Sequence, residues 1–316
     1  MDDFSWTWKR HQKNPILPAV PGTWMESQTA NPDIALYGGV YHLYFRGQEG
    51  GHDRVGLAVS PENEFDGVTW KILPEPVIDV GGPGDWDETH VLDPAAVRVG
   101  STVFLYYSAV CPRCPRSICL AVSQDGKRFV KHPRNPVAIG GAPEVVYDGR
   151  LFYLYFWKDR SGGGFEIHLA VSGDGYGFRE PTGEPCLPAG PAGSWDSHTV
   201  ETPRIFKEGG LYYMMYCGSD RFDDYPPAAG LAVSRNLRHW KKYEGNPIFE
   251  RGEAGAWDEG AVWFPTVRKV NGRYWMWYEG YGGGTSRIEP YGDYLTAARS
   301  QIGLAMLDAP YFYVKP

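Results

Sequence analysis

Apolar positions along this chain come in short runs that alternate with polar residues, and no segment between its glycines and prolines sustains a 3.6-residue apolar period. The pattern predicts strands and almost no helix. Five of the runs are aromatic-rich: Tyr41 to Phe45, Val103 to Tyr107, Leu151 to Phe156, Leu211 to Tyr216 and Tyr274 to Tyr278. Each follows a turn step, in order Gly38-Gly39, Gly100, Asp148-Gly149, Gly209-Gly210 and Asn271-Gly272. Turns of this type between runs of strand formers signal hairpins.

The hairpins are copies of one unit. Trp24, Trp86, Trp195 and Trp257 each have a proline eight residues on, at Pro32, Pro94, Pro203 and Pro265, and a fifth copy keeps Pro143 without the tryptophan. A second mark follows in step: Gly56 to Ser60, Leu120 to Ser123, Leu169 to Ser172, Leu231 to Ser234 and Gly303 to Met306. A third is an Asn-Pro or Glu-Pro step at Pro15, Pro76, Pro136, Pro185 and Pro247. A unit of this size, several strands long, is a small sheet that cannot bury both faces alone, and a ring of such sheets solves the problem. The fold expected is all-β, a five-bladed β-propeller. Its blades are expected at residues 18–74, then to 134, 184 and 245, and on to the end, with residues 1–316 forming one domain. Residues 5–16 resemble the blade end at 239–248, so the N-terminal segment is expected to add an outer strand to the last blade, beyond Tyr311 to Val314, and close the ring.

Composition narrows the function. A formal charge of −7 and a pI near 5.6 argue against nucleic acid, which needs a basic face. No run of 18 apolar residues predicts a membrane span, and Met1-Asp2-Asp3 begins no secretory signal, so a cytoplasmic protein is expected. Five cysteines leave an odd thiol, and Cys111-Pro112-Arg113-Cys114 is a lone CxxC, read as a loop of reduced thiols. Aromatics at 15%, with twelve tryptophans, suit stacking on sugar rings and equally suit packing between sheets.

In a propeller the innermost strand of each blade begins at one mouth of the central channel, the natural pocket. Here those beginnings surround the repeated proline, and four of the five hold a carboxylate beside it: Asp33, Asp93, Glu144 and Glu201. The four do not share one offset from the proline, whereas Asp87, Asp196 and Asp258 recur at one place, as a structural device would. Two or three carboxylates on one cleft divide into a proton donor and a partner that stays ionised, which is what glycosidic cleavage needs. The catalytic candidates are Asp93, Glu201 and Asp33. Candidate substrate contacts are Asn31, Arg46, His90, Glu144, His198 and Glu259. No tight ligand spacing such as HxxxH supports a metal, and no cofactor is expected. Two insertions are candidate binding loops: Ser219 to Ala229, with Asp220, Asp223 and Asp224, and Gly280 to Gln301, with Arg287, Asp293 and Arg299.

Asn14-Pro15-Ile16-Leu17-x-Pro, Asn31-Pro32, Leu92-Asp93-Pro94, Glu201-Thr202-Pro203, Val262-x-Phe264-Pro265 and Ile302-Gly303-Leu304-Ala305 together resemble the five-bladed propeller glycosidases, glycoside hydrolase families 32, 43, 62, 68 and 130. Their order and spacing are most similar to family 130, whose members are phosphorylases and hydrolases acting mainly on β-mannosides. That resemblance implies Asp93 as proton donor, with Arg46 and Glu259 matching further site positions. Where the phosphorylases hold phosphate with two arginines and a histidine, this chain has Ala95, Trp157 and Cys217. A dianion lacks its cations there, and water becomes the expected nucleophile. Glu201-Thr202-Pro203 instead resembles the acid motif of families 43 and 32. Their other two acid positions are Asn31 and Ala142 here, with Asp33 a stand-in for the first, because residues two apart on a strand share a face, and Glu144 for the second.

The function expected is an inverting glycoside hydrolase acting on an oligosaccharide or glycan. Asp93 and Glu201 flank the scissile bond, one protonating the leaving oxygen while the other, or Asp33, activates water. The alternatives are a β-mannoside-type phosphorylase, a transglycosylase, and a non-catalytic glycan-binding propeller.

Overall fold

The structure, a computed structural model, describes residues 7–221, 224–283, 286–288, 294–296 and 298–308. Asp223, Asp293 and the run Tyr311 to Val314, named above, lie outside the described residues. Five antiparallel sheets follow one another along the chain and form the five blades. Blade I pairs Gln28–Tyr37, Val40–Glu49, His52–Pro61 and Lys71–Ile72 in order. Blade II holds His90–Val99, Thr102–Val110 and Ser117–Ser123, blade III Gly141–Tyr147, Phe152–Asp159 and Phe165–Ser172, and blade IV Thr199–Glu208, Leu211–Ser219 and Ala228–Ser234. Blade V holds Ala261–Val270, Arg273–Gly282 and Arg299–Leu307, and its fourth strand is Lys9–Arg10, with Lys9 opposite Met306 and Arg10 opposite Ala305. The N-terminal segment thus closes the ring as the repeat predicts. The helix among the described residues is one 3₁₀ turn, Glu62–Glu64, and none is long and apolar enough to cross a membrane.

Each repeated mark has one physical job. In blades I, IV and V the tryptophan lies against two glycines of its blade: a Cβ on Gly47 or Gly56 would stand 2.3 or 2.1 Å from the Trp24 ring, and Gly218 and Gly230 meet Trp195, and Gly280 and Gly303 meet Trp257, in the same way. The following aspartate is a clamp. Asp87, Asp196 and Asp258 accept from the hydroxyls of Tyr107, Tyr216 and Tyr278 at 2.8, 3.0 and 2.9 Å. Each also pairs with a cation from the outer strand, Lys131, Lys242 or Arg10, at 2.7, 2.6 and 2.7 Å. The asparagine of the Asn-Pro step stands in for a missing strand: Asn14, Asn135 and Asn246 each bond both the N–H and the carbonyl of Leu304, Leu120 and Leu231.

After each of those prolines the next N–H returns to the blade the chain is leaving. Ile16, Val77, Val137, Cys186 and Ile248 donate to the carbonyls of Ile302, Val55, Ile118, Ile167 and Ala229. The blades therefore run a few residues past the expected ends at 74, 134, 184 and 245, because a proline removes only its own donor. Tyrosines of the second strands tie neighbours together: Tyr44, Tyr106 and Tyr155 donate to Gly126, Gly175 and Leu237 of the next blade at 2.8, 2.6 and 2.6 Å. Much of the aromatic content is thus spent on joining sheets. One expectation is corrected: Cys111 and Cys114 form a disulfide, since the turn brings their Cα atoms to 5.4 Å, a bridging distance. Cys119, Cys186 and Cys217 are free.

Candidate active site

The inner strand of every blade carries the same irregularity. Its register with the second strand slips between Ala30 and Asp33, Leu92 and Ala95, Gly141 and Glu144, Glu201 and Arg204, and Trp263 and Thr266. Within each slip the residue before the proline has a left-handed backbone: Asn31 at φ 50°, Asp93 at 55°, Ala142 at 49°, Thr202 at 49° and Phe264 at 50°. Asparagine and aspartate tolerate this conformation, while for Ala, Thr and Phe it costs on the order of 1–2 kcal/mol. β-Bulges re-aim side chains. All five of these residues line one cleft, about 410 Å³ in volume, at the mouth of the channel.

Asp93 and Glu201 come together there, 4% and 2% exposed. Burial pushes the Asp93 carboxyl above the usual carboxylate range, against the pull of Arg116, the Ser108 hydroxyl, Arg46 and Arg204. Ser108 is held in place by the Ala142 N–H, which donates to its hydroxyl at 2.9 Å. Glu201 shares a hydrogen bond with Asp224, a residue of the blade IV insertion at the cleft mouth. The protein packed round Asp224 raises its pKa, opposed by Glu201 and Arg116, and water reaching it from the open side limits that rise. A hydrogen bond between two carboxyls needs a proton on one of them, so each holds back the ionisation of the other.

Blade V supplies an acid that the sequence reading missed. Glu279 lies opposite Trp263 on the second strand, where blade I has Arg46 opposite Ala30. Its Oε2 accepts from both the backbone N–H and the Nδ2 of Asn31 at 3.0 Å, and the Ser300 hydroxyl donates to Oε1. Burial raises its pKa against Arg46, whose Nη2 lies 3.6 Å away. The Asn31 Oδ1 is buried without a partner. Arg46 also faces Asp53 at 3.8 Å, and His90 Nδ1 sits 2.8 Å from the other Asp53 oxygen. Burial would raise Asp53, but Arg46 and His90 outweigh it and hold the carboxylate ionised. The opposite wall is aromatic: Trp157 stacks on Phe165, and Tyr225 meets Trp263 and Tyr281 edge-on.

The register signal for Glu279 was present in the sequence, since it sits at the hairpin position of Arg46. Asp53 and Arg116 had no such signal, because they stand on a third strand and a loop whose path the repeat does not set, and Asp224 was marked only as a member of the Ser219 to Ala229 insertion.

Of the nine candidates, Asp93, Glu201, Asn31, Arg46 and His90 line this cleft, and four do not. Asp33 and Glu144 face a second hollow at the other end of the channel. Both directly follow their prolines, and both reach to the next blade: Asp33 accepts from the Ala96 N–H at 2.7 Å and Glu144 from the Ile205 N–H at 2.9 Å. They are inter-blade struts, and the bulge puts them out of reach of Asp93's face. His198 lies five residues before its proline, where His90 lies four, and alternation turns it away from the cleft. Glu259 accepts from the Gly255 N–H at 2.7 Å, as Glu26 and Glu88 do from Gly22 and Gly84, so it belongs to the repeat's turn.

Comparison with known proteins bears on the fold and the family. The family 130 glycoside hydrolase model, described as beta-1,4-mannooligosaccharide phosphorylase, matches residues 135–289. An uncharacterized protein of Mycobacterium tuberculosis is 25% identical over 285 residues, covering 83% of this chain and 91% of that one. A 1,2-beta-oligomannan phosphorylase of a Thermoanaerobacter species is 34% identical over 146 residues, 43% of this chain and 45% of its own. Among solved structures, one is described under family 130 mannoside phosphorylases containing glycoside hydrolases that target beta-1,2 mannosidic linkages in Candida mannan. It superposes with a TM-score of 0.72 at 17% identity, over 99% of this chain and 97% of its own.

Proposed function

We propose that this chain, a family-130-like five-bladed propeller of the glycosidase superfamily, is an inverting glycoside hydrolase that acts on β-mannosidic bonds. The observation that carries the reading is the convergence of Asp93 and Glu201, both buried, on one cleft. Asp93 is the proton donor: burial raises its pKa, the direction a donor needs. The Glu201–Asp224 pair accepts the proton of the attacking water on the opposite face of the sugar. Asn31, with an unfilled acceptor, takes a sugar hydroxyl, and the aromatic wall stacks on a ring face.

Water is favoured over phosphate by charge. Asp53, Asp93, Glu201, Asp224 and Glu279 line the cleft, and of its two arginines Arg46 is already engaged by Asp53 and Glu279. A phosphate dianion entering there meets Arg116 at the rim and a surplus of carboxyls. Phosphorolysis is the second reading, favoured by the description of the matched family.

The test is release of product from aryl β-mannosides and from β-1,2- and β-1,4-mannooligosaccharides, with and without phosphate. Expected is phosphate-independent hydrolysis with inversion, lowered about 10²- to 10⁴-fold in Asp93→Asn. Mannose 1-phosphate formed only when phosphate is present would make the protein a phosphorylase, and saturable glycan binding without turnover would make it a binding module.

A further inference from the structure

Directly beneath the floor of the cleft a single guanidinium holds three blades. Arg204, 1% exposed, follows the proline of blade IV at the position that Asp33 and Glu144 take in theirs. Its Nη2 donates to the Pro94 carbonyl at 3.0 Å, and its Nη1 to the carbonyls of Pro143 at 2.9 Å and Pro203 at 3.3 Å and to Glu144 Oε2 at 3.3 Å. The guanidinium carbon lies 4.7 Å from the centroid of the Phe264 ring of blade V. The bulges of blades II, III and IV thus hang on one planar fork, and a fourth blade packs on its face. Thr266, the equivalent residue of blade V, makes the same kind of bond with one donor, to the Pro32 carbonyl at 2.9 Å.

We infer that Arg204 is the positioning residue for Asp93: by gripping the carbonyl of Pro94 it fixes the strained bulge that aims Asp93 into the cleft. Its charge also acts on the Asp93 carboxyl, favouring the ionised form. The inference rests on the reading of Asp93 as proton donor. A left-handed residue ahead of a proline persists only where its surroundings over-determine it. For Asp93 the over-determination comes from the next carbonyl down the chain, held by a guanidinium that is itself fixed by bonds to blades III and IV. Only arginine offers several N–H donors in one rigid plane, and a lysine ammonium on the same stem cannot span carbonyls of three strands. The charge acts in a crowded field. Asp93 also faces the cations Arg46 and Arg116, the Ser108 hydroxyl, and the carboxyls of Glu279 and Asp224. Arg204 is the one of these cations that lies below the floor, out of reach of substrate.

Two variants test this. Arg204→Lys keeps the charge and loses the fork. The Arg204→Met/Glu144→Gln double variant removes the buried ion pair as a unit, an exchange that folds often tolerate. The Asp93 carboxyl is followed by ¹³C NMR titration, its resonance assigned by loss in Asp93→Asn, beside kcat and KM against pH on an aryl β-mannoside. Arg204→Lys is expected to lower kcat about tenfold to a hundredfold with little change in KM, the signature of a misplaced donor. The double variant is expected to move the Asp93 titration upward by about half a unit or more, with the matching limb of the kcat profile. An unmoved Asp93 titration in the folded double variant, or wild-type kcat in Arg204→Lys, overturns the inference. The titration needs no turnover, so absence of glycosidase activity would sink the proposed function while leaving the Arg204 result readable.

Discussion

At the scale of single residues, acids of the same type have opposite physical fates in this protein. Asp196 is clamped by Tyr216 and Lys242, and burial lowers the lysine's pKa against the pull of that aspartate, so removing the aspartate strands a half-buried cation. Asp196→Ala is expected to cost on the order of 3 kcal/mol in urea unfolding while the folded fraction keeps its kcat. Asp93 is the reverse case. Its pKa is raised, so its ionised form destabilises the fold above the unfolded pKa, and that penalty grows as pH rises through the folded pKa. Besides lowering turnover about 10²- to 10⁴-fold, Asp93→Asn should therefore melt at or above the wild-type temperature at pH 8, with the difference vanishing at pH 4. A large loss of stability at both pH values would show that Asp93 is a structural acid like Asp196. Glu259→Gln, which touches only a turn, should leave KM unchanged.

At the scale of elements, the ring depends on a strand of two residues. Lys9–Arg10 pairs with Arg299–Leu307, the His11 N–H donates to Leu304 at 2.8 Å, and Arg10 closes the Asp258 clamp. Deleting residues 1–14 would expose the edge of blade V and unpair a buried carboxylate. The shortened chain is expected to melt at least several degrees lower and to aggregate on warming, as open edges do. Light scattering alongside a thermal scan measures both. A second element prediction concerns the loop between Thr102–Val110 and Ser117–Ser123, which carries Arg116 to the cleft rim and contains the Cys111–Cys114 bridge. Thiol titration of the denatured protein should find three free thiols before reduction and five after; five before reduction would refute the bridge.

At the scale of the whole molecule, the buried acids act together. Glu144 is pushed up to about 7, chiefly by burial, with Arg204 opposing and Asp33 adding to the rise, and Glu279 and Asp93 shift the same way. Groups whose folded pKa is raised lend stability that is full below the unfolded value near 4 and is lost as pH climbs through the folded one. Asp53 and the turn acids Asp66, Asp148 and Asp174 are lowered, so their contribution is present above pH 4 and disappears in acid. The thermal midpoint should accordingly peak near pH 5 and decline toward pH 8. Glu144→Gln should flatten the alkaline decline, and an equally steep decline in that variant would show that Glu144 is not its source.

The sequence by itself determined the architecture, because the repeat is written in residues whose work is local. Tryptophan over glycine, aspartate on tyrosine, and asparagine bonding one leucine backbone all act within a blade, and each returns at fixed spacing. It also held the floor of the cleft, since Asn31, Asp93 and Glu201 sit at or just before prolines that mark the bulges. What only the tertiary structure decided is which way those bulges turn. Asp33 and Glu144 stand next to repeat prolines too, but two positions past the left-handed residue the strand faces the other end of the channel, so the two acids become struts between blades. Contacts between blades carry no spacing rule along the chain. Glu279 meeting Asn31, Asp53 meeting His90, Asp224 meeting Glu201 and Arg204 reaching the Pro94 carbonyl join residues up to 248 positions apart, brought together only when the ring closes.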